Sequence, residues 1–335
     1  MSDTQRRPTL GLLASTIALG VLLATGANAG ERKGWPRTVA VGGSNLGSAH
    51  YVYGAAWAKI LTDKLGVPAT VEATPGPGPN VRLVHTKQND FGPVTMAVAY
   101  EGFHGQGWAK GQRFDQIRAV LPMFSSYFQF WTLTKYPIHS IHDMSGYDVS
   151  LSGAGSTPDI YGRRLFELFG IKPRRIINAG FGDMNNLMRD GQLHVSAAFA
   201  GVPHPAVVEM GTTHSIRLIG IAAKDADAFI AKFPFFSKEP IPAKTYKEQD
   251  KPLDTITIWN VLVAHRDAPE DFIYEVVRAT FEGQRELVLA FKGAEETLAE
   301  NIRHTTIPLH PGAYRYYQER KIAVPAQAVP LGIKQ

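Results

Sequence analysis

The alternation of β-favouring runs with helical patterns is the feature that most constrains the fold of this chain. Strand-like runs at Thr38–Val41 and Val149–Ser152 each lead into a turn rich in Gly and Ser, and a helical pattern follows each turn. Such alternation indicates an α/β protein. Because the pattern starts twice, we expect two α/β lobes whose loops meet at one cleft, beyond the carboxyl ends of the strands.

The remaining elements follow the same pattern. Helices are predicted over about 50–65, from 157 to 169, and over 181–191 and 269–284, with part of another helix at 81–87. Strands are predicted at 69–73, 127–133, 176–177, 195–199 and 256–263, and the region 91–99 is expected to mix a strand with a loop. One helix start is well specified, with Thr157 as N-cap, Pro158 at the first helical position and Asp159 in the first turn.

The first 29 residues are typical of a signal peptide. Arg6 and Arg7 precede an uncharged apolar run from Leu10 to Leu23, and Ala27-Asn28-Ala29 follows as a small-x-small cleavage site. The alternative is a membrane anchor, for which the run is short. We therefore expect residues 1–29 to be removed and the mature protein to be exported to the periplasm in soluble form.

Composition excludes several classes of protein. Cysteine is absent, so disulfides, thiol catalysis, Cys-ligated metals and N-terminal lipid anchoring are excluded. Without residues 1–29 the chain carries 33 basic and 29 acidic residues, an excess of four positive charges. That excess is too small and too scattered to indicate a nucleic-acid surface. About 300 residues remain, which is more than one core usually holds.

Most enzyme signatures are missing from the sequence. It contains no His-Glu-x-x-His, no Walker loop and no Gly-x-Ser-x-Gly. The histidines at His139 and His142 lie in a predicted loop, where a metal site is not expected. We predict neither a metal nor a cofactor.

Neutral hydrogen-bonding groups precede two predicted helices: Ser44, Asn45 and Ser48 before the first, and Ser156 and Thr157 before the helix of the second lobe. The free N–H groups and the positive dipole end at a helix start bind anions. Plain helix capping would need the same residues, so each turn alone leaves both interpretations open. One turn in each lobe favours a binding cleft.

An ordered set of motifs runs through nearly the whole mature chain. The set comprises the Gly-rich turn before Tyr51-x-x-Gly54-x-Ala56-x-Ala58, Glu72-x-Thr74-x-Gly76-x-x-x-Asn80, Asp90, Ala99-Tyr100, Ser156, Arg163-Arg164-Leu165, Gly170, Leu187-x-x-Asp190-Gly191-Gln192, Gly201-x-Pro203-x-Pro205-Ala206, Phe233-Pro234-Phe235-Phe236, Ile241-Pro242-Ala243-x-Thr245-Tyr246 and Pro308-Leu309-His310-Pro311-Gly312-Ala313-x-Arg315-Tyr316-Tyr317. In this order they resemble the TAXI-type solute-binding proteins of tripartite ATP-independent periplasmic (TRAP) transporters.

The resemblance implies a two-lobed type II periplasmic-binding-protein fold that closes on its ligand. Two hinge strands are expected near 130–135 and 257–264. Lobe I would comprise residues 30–136 and 256–335, and lobe II residues 137–255. The resemblance also implies a membrane-embedded TRAP permease as partner, driven by an ion gradient, with no ATPase.

Several positions depart from the family pattern. His50-Tyr51 stands where Tyr-Tyr is usual, and Pro75-Gly76-Pro77 replaces Gly-Gly-Ser. Thr95 and Ala97 replace a Gln and an Asp, and the second-lobe turn reads Gly155-Ser156-Thr157-Pro158-Asp159 in place of Gly-Ser-Gly-Thr-Glu. These changes bear on the identity of the ligand more than on the fold.

We therefore expect a periplasmic receptor without enzymatic activity. Its ligand would be a small organic acid such as a glutamate-like compound or a dicarboxylate. Two alternatives stay open: a receptor of an ABC importer for an aromatic, sulfonate or heterocyclic ligand, and a periplasmic serine hydrolase that uses Ser44 or Ser156 with a histidine. The predicted ligand-binding residues are Ser44, Asn45, Ser48, His50, Tyr51, Asn80, Thr95, Ser156, Thr157, Phe181, Gly201 and His204.

Overall fold

The computed structural model describes residues 34–332. The predicted signal peptide, residues 1–29, lies outside the described residues. Among residues 34–332, no helix is both long enough and apolar enough to cross a bilayer.

The described residues form ten strands in one mixed sheet. In chain order they are β1 (Val39–Gly42), β2 (Ala69–Glu72), β3 (Phe91–Thr95), β4 (Ile117–Leu133), β5 (Asp148–Ser150), β6 (Arg175–Ile177), β7 (Val195–Ala200), β8 (Ile216–Ile219), β9 (Phe236–Lys238) and β10 (Ile256–His265). The main order is β2-β1-β3-β10-β4-β7-β5-β6, with β8 also paired to β4 and β9 to β10.

Ten α-helices cover and connect the sheet within residues 34–332. They are α1 (Ala49–Ile60), α2 (Pro77–His85), α3 (Met96–His104), α4 (Thr157–Phe169), α5 (Phe181–Arg189), α6 (Pro205–Thr213), α7 (Ala223–Lys232), α8 (Glu270–Glu282), α9 (Gln284–Ala290) and α10 (Pro311–Glu319). A π-helical turn, Leu61–Leu65, continues α1 up to the left-handed Gly66.

Strands β4 and β10 cross from one half of the sheet to the other. The first part of β4 pairs with β10, and its last part, from Tyr127 onward, pairs with β7 and β8. Likewise, β10 pairs with β3 from Asn260 onward and with β9 at its beginning. Parallel strands β1, β2 and β3 therefore lie on one side of this pair, and β5, β6 and β7 on the other.

The two crossing strands are longer than the sequence predicted. The expected hinge near 130–135 covers only the end of β4, whose 17 residues are almost all buried. Pro122 lies inside the strand, and the β4–β10 register shifts beside it, between Trp259 and Val261. Because proline cannot donate to a ladder, this irregularity accommodates it within a central strand. The second expected hinge segment, 257–264, lies within β10, which extends one residue further at each end.

Three local predictions need correction. Ser156, not Thr157, is the N-cap of α4, because its Oγ accepts from the backbone N of Asp159 at 3.4 Å. Thr157 is the first helical residue instead. The expected loop after β3 is the helix α3, whose apolar sequence does not separate strand from helix by periodicity. Helix α2 begins at Pro77, four residues before the predicted segment.

Candidate functional site

Four helices begin at one cavity between the two halves of the sheet. The cavity is lined by the N-caps of α1 (Ser48), α3 (Thr95) and α4 (Ser156), and by Phe181, the first residue of α5. Each helix has nine or more residues. The positive ends of their dipoles favour an anion in the cavity without a cationic side chain in its lining.

The lining is polar but carries no Asp, Glu, Lys or Arg among the described residues. It comprises Ser44, Asn45, Ser48, Ala49, His50, Pro77, Thr95, Ser126, Ser152, Ser156, Thr157, Pro158, Phe181, Phe199 and Ala200. Serine, threonine and asparagine supply hydroxyl and amide groups, and the rings of Phe181 and Phe199 supply apolar surface. A small number of neutral polar groups set in an apolar wall is typical of a small-molecule site.

Contacts between the two halves narrow the cavity. Thr95 Oγ1 lies 2.9 Å from Thr157 Oγ1, and the backbone N of Gly78 lies 3.3 Å from the carbonyl O of Gly155. A Cβ at position 78 would meet that oxygen at 2.8 Å, so only glycine permits this approach. The cavity has a volume of only about 30 Å³. A larger solute therefore needs the halves to separate.

An ion pair joins the same two halves beside the cavity. Glu101 in α3 accepts from Arg164 in α4 through both carboxylate oxygens, at 2.5 and 3.0 Å. Both side chains are largely shielded, with 8% and 19% of their surface exposed. The Arg164 guanidinium also lies over the rings of Tyr161 and Phe233. Because α3 and α4 belong to opposite halves, this pair stabilises the narrow state.

His50 is held in place by the crossing strand β10. Its Nε2 lies 2.7 Å from Oδ1 of Asn260, and its ring is almost fully buried. Burial lowers the pKa of His50 to about 4, against a smaller opposing effect of the bond to Asn260. The imidazole is therefore neutral at pH 7. The Asn260 amide also donates to Ser126 Oγ, a second lining atom, at 2.7 Å.

Eight of the twelve predicted site residues line this cavity: Ser44, Asn45, Ser48, His50, Thr95, Ser156, Thr157 and Phe181. The structure places the other four elsewhere, and their contact with a ligand stays a prediction. Tyr51 lines a separate groove between α1 and α9. A Cβ added to Gly201 would lie 2.8 Å from the ring of Phe291, so this residue packs closely against that side chain.

Asn80 and His204 lie behind the lining. The Asn80 amide donates to the carbonyls of Gly42, Gly43 and Pro93 and accepts from Thr74, so its side chain satisfies buried backbone. His204 caps α6 and packs against the ring of Phe181, with 4.5 Å between ring centroids. Burial lowers the pKa of His204 to about 4.

Sequence reasoning missed seven lining residues: Ala49, Pro77, Ser126, Ser152, Pro158, Phe199 and Ala200. Ser152, Phe199 and Ala200 lie at or just after the carboxyl ends of β5 and β7, where a ligand is expected in such sheets, so their positions were a usable signal. Ser126 lies inside a long buried strand, and nothing in the sequence separates it from a core serine.

Within 34–332, no group of three or more His, Cys, Asp or Glu side chains is placed to hold a metal ion. His142, in the motif considered above, lies in a short 3₁₀ turn, and its Nε2 lies 3.0 Å from Asp225.

The profile of the NMT1-like family matches residues 41–320. The chain belongs to this family. Among solved structures, the chain is similar to MatC from Rhodopseudomonas palustris with bound malate, at 15% identity and a TM-score of 0.56, over 85% of this chain and 97% of that one. It is also similar to the periplasmic binding protein BugD, at 12% identity and a TM-score of 0.56, over 87% and 100% of the two chains.

A third structure, described as a periplasmic transporter, is similar at 13% identity and a TM-score of 0.55, over 86% of this chain and 98% of that one. Each likeness covers most of both chains. They confirm the predicted fold, which is the two-lobed α/β fold of periplasmic solute-binding proteins.

Proposed function

We propose that this NMT1-like protein is a periplasmic receptor that binds a small organic acid in the cavity between its two lobes. The lobes would be residues 30–136 with 256–335, and residues 137–255, with β4 and β10 as hinge strands. One observation carries the proposal: four helix N-termini meet at a cavity whose lining, in the described chain, has no charged side chain.

This arrangement suits a carboxylate for electrostatic reasons. Backbone N–H groups at a helix start lack intrahelical acceptors, so an anion oxygen can satisfy them. The lining hydroxyls of Ser44 and Ser48 can donate as well. An acidic lining residue would repel the anion, and none is present among the described lining residues.

Hydrogen bonding in the cavity supports binding over hydrolysis. Ser156 Oγ donates to the carbonyl of Leu151 at 3.3 Å and accepts from the backbone of Asp159. His50 Nε2 is bound to Asn260. A nucleophilic serine needs a base within hydrogen-bond reach, and the described residues provide no serine–histidine hydrogen bond at this cavity.

The transport partner and location rest on other support. The ordered motifs resemble the TAXI-type receptors, which serve a TRAP permease, and BugD is described as a periplasmic binding protein. MatC, of the same fold, was solved with malate. These observations support our proposal of a periplasmic location and an ion-driven permease as partner. Uptake of the solute into vesicles that contain the partner permease should require an ion gradient. A requirement for ATP would favour the ABC-importer alternative.

Binding can be tested before the ligand is identified. Mass spectrometry of solute released from the purified protein should identify an organic acid, whose affinity calorimetry then measures. Ser44→Ala should weaken binding about ten- to a hundredfold, because it removes a lining hydroxyl that can donate to a charged ligand. Arg174→Ala is the control, since Arg174 pairs with Asp148, away from the cavity. Loss of binding in Arg174→Ala with no effect of Ser44→Ala would overturn the proposed site.

A further inference from the structure

The side-chain amide of Asn260 determines whether two lining residues, His50 and Ser126, can donate or accept hydrogen bonds. Asn260 Nδ2 lies 2.8 Å from the backbone carbonyl of Phe124, and that oxygen can only accept. The amide orientation is therefore determined, with nitrogen toward Phe124 and oxygen toward His50. Because Asn260 Oδ1 can only accept, His50 Nε2 must carry the hydrogen of their 2.7 Å bond.

This bond leaves the second ring nitrogen of His50 as an acceptor. A neutral imidazole carries one ring hydrogen, and burial keeps the pKa of His50 at about 4, so the ring is neutral at pH 7. Nδ1 then has a bare lone pair. It has no hydrogen-bond partner among the described residues, although His50 lines the cavity.

The same amide leaves Ser126 in the opposite role, as a hydrogen-bond donor. Its Oγ accepts from Asn260 Nδ2 at 2.7 Å, and its own hydrogen has no acceptor among the described residues. Ser126 also lines the cavity. The cavity therefore presents an acceptor on His50 and a donor on Ser126, connected through one amide.

We propose that the cleft selects a hydroxy-carboxylate, with the ligand hydroxyl donating to His50 Nδ1 and a carboxylate oxygen accepting from Ser126. An ammonium group could also donate to Nδ1. However, the described lining offers it no carboxylate partner, and an unpaired buried charge is costly. This inference rests on the proposed function and specifies the substrate class of the same site.

Calorimetry with matched acids tests the assignment. The pairs glycolate and acetate, lactate and propionate, and malate and succinate differ only in one hydroxyl group. For each pair that binds, the hydroxy acid should bind about tenfold or more tightly, because the deoxy acid leaves Nδ1 buried without a donor. Aspartate should bind more weakly than malate.

Variants separate the role of His50 from general damage to the cavity. His50→Phe should reduce the hydroxy-to-deoxy affinity ratio to less than about twofold, and His50→Gln, which keeps an acceptor, should restore part of it. Thr95→Val is the matched control: it lines the same cavity without a bond to Asn260, so it should weaken both acids and leave the ratio unchanged.

The outcomes distinguish the two proposals. A ratio near one in the unmodified protein, an unchanged ratio in His50→Phe, or aspartate binding as tightly as malate would overturn the hydroxy-acid inference alone. Failure of every acid to bind would overturn the proposed function and this inference with it. If His50→Phe does not fold, ¹⁵N NMR of the unmodified protein decides: the His50 ring should carry its hydrogen on Nε2, and a hydrogen on Nδ1 would refute the inference.

Discussion

The ion pair between Glu101 and Arg164 should control how readily the cleft opens. Glu101→Gln keeps the side-chain volume but removes the charge that Arg164 contacts through two hydrogen bonds. Breaking a fully buried ion pair costs about 3–5 kcal/mol. The cost here should be smaller, about 1–3 kcal/mol, because Arg164 keeps its ring contacts and gains water when the halves separate.

That free energy converts into a measurable shift in the open–closed equilibrium. At about 1.4 kcal/mol per factor of ten, the open state gains about 5- to 150-fold. Where a ligand needs the closed state, its apparent Kd should rise by up to the same factor. Small-angle scattering should show a larger radius of gyration for Glu101→Gln than for the unmodified protein, and added ligand should reduce the radius in both.

The neighbouring arginine provides the control. Arg163 occupies the same helix, but it pairs with Asp159 within α4 and is half exposed. Arg163→Gln should therefore leave both the radius and the Kd unchanged. Equal radii and equal ligand affinity in Glu101→Gln and the unmodified protein, with both folded by circular dichroism, would refute the view that this pair holds the cleft closed.

Two further predictions concern stability. Asn80→Ala leaves three backbone carbonyls without a buried donor. The free energy of unfolding, measured with denaturant, should therefore fall by at least about 2 kcal/mol. A fall below about 0.5 kcal/mol would contradict this role of Asn80. Hydrogen bonds from Arg174 and Arg175 hold the pKa of Asp148 well below its usual range. The stability that the Asp148 carboxylate contributes is fully present above its pKa of about 4 in the unfolded chain. It is lost as the pH falls through the lower pKa of the folded protein. Asp148→Asn should therefore flatten the acid side of the stability curve, and an unchanged curve would contradict the pairing.

The sequence predicts the lining residues at helix starts better than the residues whose role depends on long-range packing. Helix starts carry a local chemical signature, so Ser48 and Ser156 were recognisable as groups that precede a helix. Asn80 has the same loop-like appearance, but its amide satisfies backbone carbonyls from three separate positions. That role depends on long-range packing, which no local pattern encodes. Polar residues that bind a ligand and polar residues that satisfy backbone therefore look alike in sequence.

The long strand β4 shows a second limit of prediction from local sequence. Its aromatic second half matches β propensity and was predicted. Its first half contains Arg118 and Pro122, which argue locally against a central strand. The register shift between Ser125 and Pro122 inserts an extra residue on β4 against Trp259 and Val261 of β10, a pairing with residues more than 130 positions away that no local pattern encodes. His50 is a comparable case, because only the position of Asn260 determines which of its ring nitrogens carries the hydrogen.

The place of β10 in the sheet also governs how the chain can reach its native state. β10 lies between β3 and β4, and Phe91 pairs with Ala264 across a long sequence separation. A chain that ends before residue 256 lacks the strand that joins the two halves, so, among the described strands, β3 pairs only with β1, and β4 pairs only through its last part, with β7 and β8. Such long-range pairing slows folding. Because β10 ends at His265, the sheet can be completed only after about four fifths of the chain has been synthesised.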